Sequence, residues 1–228
     1  MADLVKVSLA GLPQATYTTA TAAAGETAPS TVTIGTSSGL VVTQGAYLGF
    51  RDPYLKLTQV AFAGATYCEW PLGGSYTSYG IRFYWAALSN ITTTMRMFWG
   101  MNSATGTGWR LEAYSGGRVA LINSANGTIE LSAVGETLSG ATFYRFEIVY
   151  NGTTLTCRVF AGESTTMLFD IGGNTSATMT HARFGALNES FTNPIAAFDD
   201  LLITDQASYP GPWTSTSSGL WVPKMIAA

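Results

Sequence analysis

The side chains able to do acid–base or nucleophilic chemistry are few and scattered. Glu112, Glu130, Glu136, Glu147, Glu163 and Glu189 stand singly, with no Glu-x-Asp-x-Glu spacing to put two carboxyls on one strand face. Retaining glycoside hydrolysis needs two such groups about 5 Å apart, so glycosidase chemistry is not expected. His181 is the single histidine. A multi-histidine metal site is therefore excluded, and a Ser-His-Asp triad would rest wholly on that residue. His181 opens the run HARFGAL, where a solvated or hydrogen-bonded strand-end histidine is the simpler reading. No Gly-x-x-x-x-Gly-Lys phosphate loop occurs. The chain is expected not to be an enzyme.

Binding chemistry is better supplied. Six Trp and eleven Tyr offer rings on which the C–H faces of sugars can pack. Trp70, Tyr76 and Tyr79 fall in or beside EWPLGGSYTSYG, which makes that segment the candidate ligand-facing loop. Trp85, Trp99 and Trp109 alternate with other large apolar residues and are expected in the core. Trp213, in Pro-Gly-Pro-Trp, is expected to cover a sheet edge or pack on a neighbouring chain.

The elements that must carry these residues are short strands. No window holds a sustained helical period, and Gly-Gly and Asn-Gly pairs punctuate the chain, so the fold class is all-β. Ile81-Phe83-Trp85 alternate with Arg82-Tyr84, Met95-Met97-Trp99 with Arg96-Phe98, and Trp109-Leu111-Ala113 with Arg110-Glu112. Taking Asn151-Gly152 as a two-residue hairpin turn, Ile148 faces Leu155, Phe146 faces Cys157 and Tyr144 faces Val159, all on one apolar face. Arg145, Glu147, Thr156 and Arg158 then share the opposite face. In AAFDDLLITD the same alternation groups Asp199 with Leu201 and Ile203, and Asp200 with Phe198 and Leu202.

Composition sets the remaining bounds. Of 228 residues 46% are hydrophobic and 11% charged, with a net charge of −3, against roughly 25% charged in an average soluble protein. A surface of Thr, Ser, Gly and Asn suits a protein packed among neighbours. There is no basic cluster for nucleic acid and no apolar run of the roughly 18 residues that a bilayer span requires. MADLVKVSLAGLP lacks the apolar core of a signal peptide, and Val5, Val7 and Leu9 alternate with Lys6 and Ser8 as in a strand, so the start reads as mature structure made in a cytoplasm. Cys68 and Cys157, the two cysteines, read as small buried hydrophobes, with a bridge between them as the alternative. Five Asn-x-Ser/Thr triplets, at Asn90, Asn126, Asn151, Asn174 and Asn188, fit chance in a chain this rich in Ser and Thr.

The run ARFGALNESFTNPIAAFDDLLITDQASYPGPW, from Ala182 to Trp213, resembles the closing strands of concanavalin A-like, laminin-G-like jelly rolls, in which x-Phe-Gly precedes an apolar-Asp-Asp-apolar strand. TFYRFEIVYNGTTLTCRVF, Thr142 to Phe160, resembles the hairpin upstream of it in that family. The resemblance implies a two-sheet antiparallel jelly-roll sandwich over residues 40–213. Residues 1–39 would form an N-terminal strand and an extended small-residue arm, and 214–228 a C-terminal docking tail. It also implies that Asp199 is a structural carboxylate tying nearby turns together, with a calcium ligand at Asp199 as the alternative and no other cofactor. Similar jelly rolls with an Asp-Asp strand and a Tyr-Pro-Gly-Pro turn are familiar among minor tail proteins, and sometimes decoration proteins, of phages infecting actinobacteria. The expectation is a structural virion subunit assembled in a host cytoplasm. Other virion subunits or copies of itself would be its partners, cell-surface glycan a further one, and nucleic acid and membrane none. The alternative is a free-standing carbohydrate-binding lectin or an inactive glycanase-like module.

Overall fold

A computed structural model describes residues 2–7, 15–16, 30–33, 39–43, 54–58, 66–123, 127–186 and 195–212. Sixteen strands run through them: Asp3–Val7 (β1), Ala15–Thr16 (β2), Thr31–Thr33 (β3), Gly39–Thr43 (β4), Tyr54–Thr58 (β5), Thr66–Tyr76 (β6), Tyr79–Ala87 (β7), Met95–Asn102 (β8), Thr107–Ala113 (β9), Val119–Asn123 (β10), Gly127–Leu131 (β11), Tyr144–Tyr150 (β12), Thr154–Ala161 (β13), Met167–Asn174 (β14), Met179–Ala186 (β15) and Ile195–Thr204 (β16). Among the described residues there is no helix. Two antiparallel sheets result, one of nine strands in the order β14-β13-β12-β7-β16-β5-β4-β2 with β1 also on β16, and one of seven in the order β11-β10-β9-β8-β15-β6-β3. The expected two-sheet jelly-roll sandwich is the fold observed. Three strands from residues 1–39 are hydrogen-bonded into these sheets, whereas Trp213 and residues 214–228 lie outside the described residues.

The inner faces meet through aromatic rings. Phe83 of the nine-stranded sheet stacks on Phe98 of the other at 5.6 Å and meets Phe184 edge-on at 5.1 Å. Phe184 in turn meets Phe198 at 4.2 Å. Such pairs add about 0.5–1.5 kcal/mol each beyond their burial. Cys68 and Cys157 are separate free thiols buried in this layer.

Three local departures separate the observed strands from the expected ones, and the two bulges among them decide which residues reach the surface. At the β12–β13 hairpin the paired residues are Phe146 with Val159, Ile148 with Cys157 and Tyr150 with Leu155. The apolar face is as expected, but the turn is centred one residue later than Asn151-Gly152. Asn151 Oδ1 accepts bonds from the N–H groups of Thr153 and Thr154 at 3.1 and 2.8 Å, which fixes Asn151 as the first turn residue. Gly152 then takes the first central position at φ +93, the place that requires glycine.

The second departure is in β8, whose pairing with β9 slips between Arg96 and Phe98. Met97 and Phe98 both enter the core, each fully buried, and Trp99, expected inside, turns to the outer face beside Arg110 and Arg183.

The third is in β16, which slips against β7 between Asp199 and Leu202, with Asp200 at φ +51. Phe198, Leu201 and Ile203 therefore share the core side, while Asp199 lies opposite Tyr84 and Leu202 opposite Arg82 on the other face. The strict alternation expected for AAFDDLLITD is replaced by this bulge. It falls where the free edge of β16 changes partner, from β5 at Ile195–Phe198 to β1 at Leu201–Thr204.

The outer face of the nine-stranded sheet is not the solvated face its arginines and glutamate suggest. Arg145 and Glu147 are 1% and 3% exposed and bonded to each other at 2.7 Å. The chain after β16 folds back across the sheet. Tyr209 lies on the Arg158 guanidinium at 3.7 Å, Gly211 O accepts from Arg82 Nη1, and a Cβ on Gly80 would come within 2.2 Å of Ser208 O. The Tyr-Pro-Gly-Pro turn is a clasp over a buried polar layer.

Candidate functional site

Of the three rings expected to face a ligand, two are interior. Trp70 is 2% exposed and Tyr79 fully buried. EWPLGGSYTSYG is not a loop: β6 continues to Tyr76 and β7 begins at Tyr79, so only Thr77 and Ser78 separate them. Strand periodicity then sends Trp70 inward opposite Ala182. The Tyr79 hydroxyl donates to Ala177 O at 2.6 Å and accepts from Trp109 Nε1 at 2.6 Å, which satisfies it inside the core. Tyr76 is half-buried against the same core. A buried ring presents no face to a sugar, so of the three only Tyr76 keeps exposed surface.

Asp199 and Asp200 are both buried, at 4% and 3% exposure. Asp200 pairs with Arg82 at 3.0 Å, so a fixed guanidinium already neutralises one of the two. Among the described residues no three His, Cys, Asp or Glu side chains converge to hold a metal ion. Among the described residues, side-chain carboxylates alone do not make up the oxygen cage of a calcium ion.

Catalytic arrangements fare no better among the described residues. Glu112 is bonded to both Arg96 and Arg110 at 2.7 Å, Glu147 to Arg145, and Glu69 to Arg183. His181 contacts Thr180 Oγ1 at 2.9 Å. The pentapeptide Gly35-Thr36-Ser37-Ser38-Gly39 has the Gly-x-Ser-x-Gly spacing. A nucleophile elbow, however, needs a strand running into a helix, and the strand β4 begins at Gly39; residues 34–38 lie outside the described residues.

The outer face of the seven-stranded sheet carries the most distinctive surface chemistry. Register places Glu69, Arg183, Trp99 and Arg110 side by side on β6, β15, β8 and β9. The Arg183 guanidinium lies 4.6 Å from the Tyr67 ring centroid and 5.2 Å from that of Trp99, so a flat cation sits between two rings. All six of Tyr67, Glu69, Arg96, Trp99, Arg110 and Arg183 are half-buried. The sequence reading missed this site because the Met97 bulge, not the residue pattern, brings Trp99 out. The run Met95-Arg96-Met97-Phe98-Trp99, too apolar for clean alternation, was the available signal.

The strands define a two-sheet antiparallel β-sandwich. No family model and no curated protein matches the chain. Solved structures do. The binding domain of botulinum neurotoxin serotype D aligns with a TM-score of 0.57 at 10% identity over 90% of this chain. Cip1, a cellulose-induced protein, gives 0.58 at 15% identity over 76% of this chain and 88% of its own length. The binding domain of Paraclostridial Mosquitocidal Protein 1 gives 0.54 at 9% identity over 90% of this chain. The chain spans about half the length of the two toxin domains, 49% in each case. At these identities the likeness is one of fold.

Proposed function

We propose that this chain is a non-enzymatic binding module that serves as a structural subunit of a bacteriophage particle, on tail or capsid, with affinity for host-surface glycan. The observation that carries the binding part is the Tyr67–Arg183–Trp99 stack on the outer face of the seven-stranded sheet, half-buried and flanked by the bonded carboxylates Glu69 and Glu112. Support for the non-enzymatic part is that the carboxylates Glu69, Glu112 and Glu147 are each held by arginine rather than facing one another across a cleft. The particle assignment rests on the 11% charged composition and the motif resemblance. Mass spectrometry of gradient-purified particles is the deciding measurement. Finding the chain at a fixed stoichiometry to other particle proteins supports the reading, and its recovery only as free protein favours the free-standing lectin instead. Release of reducing ends from glucans or cell-wall polysaccharide by the pure protein, abolished by a single Glu→Gln change, would overturn the non-enzymatic assignment.

A further inference from the structure

On the binding-module reading, we infer that the outer face of the seven-stranded sheet takes an acidic saccharide, with Trp99 and Tyr67 as apolar platforms and the guanidinium forks of Arg110 and Arg183 as carboxylate receptors. Arg110 bonds Glu112 through Nε, and Arg183 bonds Glu69 through Nε. Among the described residues the terminal nitrogens of both carry no further hydrogen bond, which leaves two planar forks of the geometry that grips a carboxylate in two places. Each is held in orientation by the carboxylate behind it, so little side-chain freedom remains to be lost on binding.

The spacing suits a sugar chain. Trp99 stands between Arg183 and Arg110 in register, and strands lie about 4.8 Å apart, so the two arginine backbones are separated by roughly 10 Å. That distance spans about two pyranose rings, with Trp99 under the middle. Charge gives the class of sugar. Among the described residues of this face, Arg110 and Arg183 turn their terminal nitrogens away from the carboxylates Glu112 and Glu69 that hold them through Nε, so positive charge is presented outward on a chain whose net charge is −3. A neutral glycan would use the rings alone, whereas a uronic-acid type residue also offers a carboxylate to the terminal nitrogens of Arg110 and Arg183.

Titration of the full chain with oligogalacturonate, and with cello-oligosaccharide of equal length as the neutral comparison, tests this by calorimetry and Trp fluorescence. The acidic oligomer is expected to bind and to weaken as salt is raised, while the neutral one binds far less. Arg110→Gln, at a side chain 26% exposed, and Trp99→Ala should each weaken binding about tenfold or more. Thermal melting of both variants separates loss of the site from loss of the fold, and Trp99→Phe, which keeps a ring, should recover part of the affinity. Equal binding of the neutral oligomer, or acidic binding undiminished in well-folded Arg110→Gln and Trp99→Ala, overturns the inference. So does no binding of the acidic oligomer at low salt. Particle association or neutral-sugar binding at another surface would then leave the binding-module reading intact, so the two failures are distinguishable.

Discussion

Arg82 ties together parts of the chain that are far apart in sequence. Its Nη2 donates to Asp200 at 3.0 Å and its Nη1 to Gly211 O at 3.3 Å, so one guanidinium holds both the β16 bulge and the closing clasp. Removing one member of a buried ion pair costs about 3–5 kcal/mol, because the other charge is left uncompensated. Asp200→Ala should therefore be strongly destabilising. Asp200→Asn should cost less, since it keeps an acceptor and Asn tolerates the left-handed backbone at φ +51. Urea unfolding of both variants checks the order: equal losses would mean that the charge alone matters and the acceptor does not, and small losses in both would mean that the carboxylate is incidental. The buried thiols give a second test at this scale. Burial pushes the Cys68 thiol from 9.0 up to about 12, and burial, with Asp170 and Glu147 nearby, pushes Cys157 higher still. Below pH 9 both states hold these protons and the stability is fully present. Above it the unfolded chain releases them while the folded chain does not, so stability falls by about 1.4 kcal/mol per pH unit per thiol. For Cys68 the loss continues up to about pH 12. Urea midpoints measured between pH 8 and 10 should fall, and less so in Cys68→Ala; a flat profile would contradict the burial of these groups.

At the scale of elements, the β12–β13 hairpin depends on Gly152, whose φ of +93 disfavours any side chain. Gly152→Ala should cost about 1–2 kcal/mol, and Asn151→Ala about 1 kcal/mol through its two lost turn bonds, both read as shifts in urea midpoint at unchanged slope. This hairpin also marks what sequence can convey. Its apolar face was legible because a period of two survives a displaced turn: Phe146, Ile148, Leu155, Cys157 and Val159 are buried under either register. The same logic read β7 correctly at Ile81, Phe83 and Trp85. It failed at Trp99 and at Asp199, because a bulge adds one residue to a strand and inverts the parity of everything beyond it, and no residue type marks that addition reliably. It failed again on the outer face of this sheet, whose alternation was right but which is not left to solvent: Arg145 is held by Gly162 O and Ser164 O from the loop after β13, while Arg82 and Arg158 meet Gly211 and Tyr209 from a segment beyond β16. Trp70 and Tyr79 were misplaced for a related reason: Gly73 and Gly74 read as a loop but belong to a long strand.

For the whole molecule, the clasp predicts a sharp boundary of tolerance. Truncation after Asp205 removes Tyr209 from Arg158 and Gly211 from Arg82, exposing a polar layer made to be covered. That chain should lose several kcal/mol more than one truncated after Pro212, which keeps these contacts. Comparing the two by cooperative melting decides whether the turn belongs to the fold. The other end of the chain closes the same sheet. Ala2 N donates to Asp205 Oδ1 at 2.9 Å, across 203 positions, and Asp3–Val7 fills the half of the β16 edge that β5 leaves open. β1 thus leaves the ribosome almost two hundred residues ahead of the partner it needs. At about 5–20 residues per second it waits roughly 10–40 s, a short alternating strand with no neighbour to pair with. Ribosome-stalled chains ending before Ile195 should accordingly be cleaved readily by protease within residues 2–7, with protection arriving only once Thr204 has cleared the exit tunnel. For this sandwich, synthesis and folding are separate events in time, and whatever shields β1 during that interval is as much a condition of obtaining the protein as its own core.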